Sequence, residues 1–278
     1  MTEDISQLLE DWPYEPGQVM ARVIMGDDGK PRIQLRLDLG ILQMEVDSRP
    51  DGARPHGAES LLAHYERQLD RWRDEHNGDR GFKLDEQACE LLRSEGVMYY
   101  HRYLAQFVLR DFEAVERDTL RNLRLMDFFN AYAAEESDRY VMEQYRPYVL
   151  MMCARARAYM AIDQRRFKAA LALLRNGIAK IKECYVRYGQ EELLAESGEI
   201  ATLRAMAKDV EARIPVNPVL KLRRELGKAV QEERYEDAAR LRDQLRQKGP
   251  LKRGDKPRSS PPPPPERPDP SADEGDDE

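Results

Sequence analysis

Hydrophobic and polar positions alternate with a period of two over the first fifty residues and with a helical period after that. Val19 to Met25 and Arg32 to Leu39 flank Gly26-Asp27-Asp28-Gly29, whose Asp-Gly chemistry supplies the positive φ of a tight turn. In the second of these segments Ile33, Leu35, Leu37 and Leu39 alternate with Gln34, Arg36 and Asp38, which predicts a half-buried strand with its polar set facing water. Gly40 interrupts the run. Leu42, Met44 and Val46 then resume it, with Gln43 and Glu45 pointing outward. The expectation is a three-stranded antiparallel meander over residues 1–56, closed by the turn chemistry of Ser48-Arg49-Pro50-Asp51-Gly52. The stretches Leu37–Gly40 and Gln43–Glu45 fit an exposed sheet edge for a partner and a face packed on helices equally well.

From Gly57 onward the period is helical. Leu61, Leu62, Tyr65, Leu69 and Trp72 form one stripe that ends at Asn77-Gly78. Asp85 is a candidate N-cap for a helix reaching Leu109 in one or two pieces, and Asp111 marks the turn before a helix over 113–133. A helix over 140–162 carries Pro147 as a kink or a restart, followed by helices over 167–188 and 191–213. Phe112 and Phe167 each open the second helix of a hairpin, with Ala114-Val115 and Ala169-Ala170 just after them. Aromatic and small residues so placed let antiparallel helices approach closely, as in tetratricopeptide-like packing, although the spacing of about 55 residues exceeds the roughly 34 of such units. Tyr99, Tyr100, Tyr103, Phe107, Phe128, Phe129 and Tyr132 concentrate aromatic surface here. Core packing is favoured for them over a peptide-binding groove.

The most specific pattern lies in residues 215–248. Leu222, Leu226, Ala229 and Val230 form the apolar stripe of a short helix, Glu232-Glu233-Arg234 a turn, and Tyr235 the start of a second helix carrying Ala238, Ala239, Leu241 and Leu245. Small residues at 229, 238 and 239 should let the two helices touch, with Tyr235 covering the open end. Helices of about three turns are marginal in isolation, so such a hairpin should gain order from a neighbour.

Leu222, Leu226, Ala229-Val230, Glu233, Tyr235, Ala238-Ala239 and Leu241-Arg242-Asp243 together resemble the UVR motif of the excision-repair proteins UvrB and UvrC. McsA-type adaptors and ClpC-type chaperones carry related hairpins. The resemblance implies protein–protein contact through those residues. The whole layout is similar to UvrB/UvrC motif-containing proteins of the planctomycete-like type, in which an N-terminal DWPYEPG…DLGILQMEVD…RPDG segment precedes a helical middle. No helicase phosphate loop, nuclease domain or paired CxxC zinc site accompanies the motif, so none of those activities is carried over.

Composition refines this reading. Five of the last six residues are acidic, so most of the net charge of −7 sits in the tail and the remainder is close to neutral. The basic clusters at Arg155, Arg157, Arg165, Arg166, Lys168 and at Lys221, Arg223, Arg224 are interleaved with acids, which disfavours a sequence-independent nucleic-acid surface. The tail over 249–278, with five prolines at 261–265, has the composition of a disordered segment with a locally extended proline run. Cys89, Cys153 and Cys184 are dispersed in apolar helical patterns and read as reduced core thiols, a cytoplasmic trait. No apolar run is long enough for a membrane helix, and the acidic N-terminus is no secretory leader. His56, His64, His76 and His101 lack metal-ligand spacing and no nucleophile motif is present, so no catalytic residue, metal or cofactor is expected.

The expected architecture is mainly α: an N-terminal antiparallel β-meander (1–56), a helical-hairpin, tetratricopeptide-like body (57–214), a UVR helical hairpin (215–248) and a disordered tail (249–278). The expected function is that of a non-enzymatic adaptor or scaffold. Another protein would bind through the hairpin, and self-association is a second use of the same surface. A DNA-repair-associated nucleic-acid-binding accessory protein is the alternative, and no membrane partner is expected.

Overall fold

The computed structural model describes residues 4–214 and 218–247. The tail at 249–278 and residues 215–217 lie outside the described residues, while Pro218 opens a helix. The contacts divide the chain into two units, 1–214 and 215–278.

The first unit begins with a short helix, α1 (Ser6–Glu10), that the pattern did not foretell, and continues into an antiparallel meander of order β1-β2-β3. The strands are β1 (Met20–Met25), β2 (Pro31–Arg36) and β3 (Ile41–Glu45), with Ile33 opposite both Val23 and Met44. Ile33, Leu35 and Met44 pack with Ala105 of a helix described below, so this face of the sheet is inside. The Leu37–Gly40 stretch is neither strand nor edge. Leu37 and Gly40 bond each other as a hairpin turn (Leu37 N to Gly40 O, 2.9 Å), which leaves Leu39 87% exposed at its tip.

The half-buried expectation for β2 is corrected: Gln34 and Arg36 are buried as well. The residues ahead of β1 lie across the polar face. Arg36 Nε donates to the Trp12 carbonyl at 2.7 Å, and the Arg22 guanidinium sits 4.2 Å from the Trp12 ring centre. Arg22 donates to Gln34, and Gln34 to Gln43, at 2.8 and 2.9 Å. The polar side chains thus satisfy one another along the strand register, which makes their burial tolerable.

The helices follow the predicted stops closely. Helix α2 (Leu61–His76) is capped by the Ser60 hydroxyl and closes on Asn77 in the left-handed conformation, φ 52°. Helix α3 (Glu86–Val108) runs in one piece from its Asp85 cap, and α4 (Phe112–Tyr132) from its Asp111 cap. The 140–162 segment is two helices, α5 (Glu136–Glu143) and α6 (Arg146–Asp163). Pro147 stands in the first turn of α6, where a missing N–H costs nothing, so it restarts the chain rather than kinking it. Helix α7 (Phe167–Arg187) is as expected. The expected helix over 191–213 is a 3-10 turn (Glu191–Ala195) followed by α8 (Gly198–Arg213), because the Ser197 hydroxyl takes the Ile200 N–H and starts a new helix. Among the described residues no helix is long and apolar enough to cross a membrane.

Two clusters form the helical core. One joins Leu62, Leu69, Leu92, Leu125 and Phe129. The other joins Tyr103, Phe112, Val115, Leu174, Ile181 and Leu203. Phe112 stacks on Tyr159 with ring centres 4.7 Å apart. Gly177 marks the closest approach: a Cβ there would lie 2.5 Å from the Ala154 Cβ and 3.1 Å from Leu203 Cδ1. Ala154 has no flexible end to swing away, so α6 and α7 would have to separate. The gain in helix propensity for Gly177→Ala is about 1 kcal/mol. Overpacking costs typically about 1–3 kcal/mol. A net loss of stability in urea unfolding is expected, and a stabilised variant would show that the helices are free to part.

Candidate functional site

The second unit, as described, is a helical hairpin: α9 (Pro218–Gln231) and α10 (Tyr235–Gln247). Its turn is built from local chemistry. Glu233 takes the left-handed conformation (φ 57°), and the Arg234 N–H returns to the Ala229 carbonyl at 2.8 Å. The Arg234 guanidinium holds the carboxylates of Glu232 and Asp237, both at 2.8 Å, fixing the corner from outside. Leu222, Ala229 and Ala238 are buried between the helices, and Leu226, Leu241 and Leu245 are half-buried. Two small residues at the crossing allow this close approach.

Three expectations for this hairpin are corrected. Tyr235 does not cover an open end; it is 68% exposed. Val230 leaves the stripe and is 54% exposed. Ala239 also points away from the helix contact, its neighbour Ala238 having taken the inward position. Tyr235 and Ala239 are one helical turn apart and share a face. Val230 stands at the same turn end of the hairpin. Glu233, Arg242 and Asp243 are exposed. Two of the basic residues on α9 are locally balanced, Lys221 by Glu225 at 3.9 Å and Lys228 by Glu232 at 3.7 Å, while Arg223 and Arg224 are exposed and make no ion pair among the described residues.

The described residues therefore make a mainly helical protein with a small antiparallel sheet and a short helical hairpin near its C-terminal end. Residues 217–248, which contain that hairpin, match the family model of the UvrB/uvrC motif. No curated protein and no solved structure matches the chain.

The first unit holds a feature that periodicity could not locate. Among the aromatic residues noted above, Tyr99, Tyr103, Phe128 and Phe129 are buried core. Tyr100 instead joins Tyr145 and Tyr148 of the α5–α6 segment around a cavity of about 670 Å³. Val97, Met126 and Val141 add apolar lining, and Arg93 and Glu199 bring charge. Sequence reading found Tyr100 and Tyr103 but missed the other two tyrosines and Glu199, which tertiary packing brings in from the α5–α6 segment and α8.

The remaining candidates are structural. Cys89, Cys153 and Cys184 are buried, and burial raises all three thiols, Cys89 to about 12 with Asp138 adding to the rise. Of the basic cluster at 155–168, Arg155 lies 4.3 Å from the Phe107 ring centre and Arg157 pairs with Glu116 at 2.6 Å, whereas Arg165, Arg166 and Lys168 are exposed at the α6–α7 turn. Among the described residues no group of three or more His, Cys, Asp or Glu is placed to hold a metal ion.

Proposed function

We propose that this chain is a non-enzymatic interaction protein that docks on a partner protein through its C-terminal hairpin. Leu222, Leu226, Ala229, Ala238 and Leu241 hold the two helices together in this reading. Val230, Tyr235 and Ala239 supply the contact face, with Glu233, Arg242 and Asp243 at its polar rim. The observation that carries it is Tyr235, a large ring left in solvent within a segment that matches the UvrB/uvrC motif. Exposed tyrosines supply contact area at small entropic cost and are frequent interface anchors. The reading requires neither cofactor nor metal and suits a cytoplasmic protein.

Nucleic-acid binding has weaker support, because the lysines of α9 at 221 and 228 are paired with glutamates one turn on, which leaves Arg223 and Arg224 as the unpaired cations of that described helix. The test is affinity capture from the native host with the full chain and with Tyr235→Ala. A protein retained by the wild type and lost by the variant supports docking. An identical captured set contradicts it.

A further inference from the structure

The tyrosine-lined cavity of the first unit is a second candidate site, independent of the hairpin. Its volume of about 670 Å³ lies within the roughly 300–1,000 Å³ of small-molecule sites. Tyr103 is almost wholly buried, Tyr148 half-buried, and Tyr100 and Tyr145 are exposed to solvent. Three of these rings touch in sequence, with Tyr145 as a further lining residue: the centres of Tyr100 and Tyr103 are 5.6 Å apart at 88°, and those of Tyr100 and Tyr148 are 6.1 Å apart.

The charges around this wall are unequally compensated. Arg93 is held in an ion pair with Asp138. Glu199, in the first turn of α8, accepts a hydrogen bond from the Ser197 hydroxyl at 2.9 Å, and no cation stands within ion-pair distance of it among the described residues. The positive end of α8 lies beside that carboxylate. Arg155, which also acts on the Tyr148 phenol, is engaged over Phe107.

We propose that this cavity binds a small organic cation with an apolar body, such as an aryl or alkyl quaternary amine. A neutral apolar molecule would fill the volume but strip water from Glu199 without offering a counter-charge, which is costly. A cation meets both demands: its charge faces the carboxylate and the electron-rich ring faces of the tyrosines, and its body covers Val97, Met126 and Val141.

Calorimetric titration of the full chain with phenyltrimethylammonium, against its uncharged isostere tert-butylbenzene, tests this. The cation should saturate one site per chain and bind about tenfold more tightly than the isostere, a preference that Glu199→Gln removes. Tyr145→Leu, at an exposed position, should weaken the cation about fivefold and keeps the test valid if the Glu199 variant folds poorly. Equal binding of cation and isostere, or no saturable heat at millimolar cation, would overturn the proposal.

Discussion

Replacing Glu95 by Gln is expected to destabilise the first unit by about 3–5 kcal/mol, the usual cost of removing one partner from a buried ion pair. The Glu95 side chain is fully buried on α3, and three elements depend on its charge. Its carboxylate accepts the first N–H groups of α2, from Leu61 at 2.7 Å and Leu62 at 3.2 Å. It also pairs with Arg49, 3.1 Å away in the loop after the sheet, and with Arg121 of α4. Burial pushes the Arg121 guanidinium down to about 9, still protonated at neutral pH, so it needs a counter-charge inside. A glutamine amide in place of the carboxylate would keep the shape and one acceptor but leave the buried Arg121 guanidinium without its anion and Arg49 with only its 3.4 Å pair to the more exposed Asp51. Both tryptophans, Trp12 and Trp72, belong to this unit, so fluorescence-detected urea unfolding reads it alone. A loss below about 1 kcal/mol would mean that Arg49 and Arg121 reach water in the folded state.

Asp118→Asn should cost a similar amount, about 3–5 kcal/mol, by a different route. Arg102 and Asp118 are each 1% exposed and meet through two bonds, 2.7 and 2.9 Å, the bidentate form in which such pairs are strongest. The far side of the same guanidinium donates to the backbone carbonyls of Glu45 at 3.2 Å and Ser48 at 2.7 Å. One side chain therefore ties the end of β3 to the α3–α4 hairpin. Without the carboxylate, Arg102 loses both its charge partner and its orientation. Hydrogen exchange at the end of β3 should then rise along with the loss of global stability, whereas Glu95→Gln should loosen the start of α2. The two substitutions should not be additive, since Arg102 and Arg121 lie over the same Tyr99 ring at 4.8 and 4.2 Å. Unchanged exchange at β3 in the Asp118 variant would contradict the tie.

Much of this architecture is legible in the sequence because local chemistry sets it. The Asp-Gly turn, the caps Asp85 and Asp111, and Asn77 as a left-handed stop each act within a few residues of where they stand. The burial of Gln34 and Arg36 was not legible, because the Trp12 carbonyl that satisfies Arg36 lies 24 residues away. Glu95 and Asp118 were hidden for a related reason. With 35% charged residues, nothing in the spacing separates a buried carboxylate from an exposed one.

In the hairpin the residues that make the crossing, Leu222, Ala229 and Ala238, follow helical periodicity and are buried as expected. The direction of Tyr235 was not legible because it is the first residue of α10. There the hairpin contact has already ended, and apolar character does not reveal which way the ring turns. That difference changes the functional picture. A tyrosine used up in the hairpin could not serve a partner, whereas an exposed one can.

The central claim, docking through the Tyr235 face, is tested most directly by titrating the captured partner against the full chain and against Tyr235→Ala. The hairpin's own packing does not use the ring, so the variant should unfold like the wild type. The account predicts an affinity lower by at least about thirtyfold, as for an interface anchor worth about 2 kcal/mol. It also predicts only a shallow dependence on salt. Undiminished affinity in the variant, or binding that moves to DNA with a steep salt dependence, would contradict it.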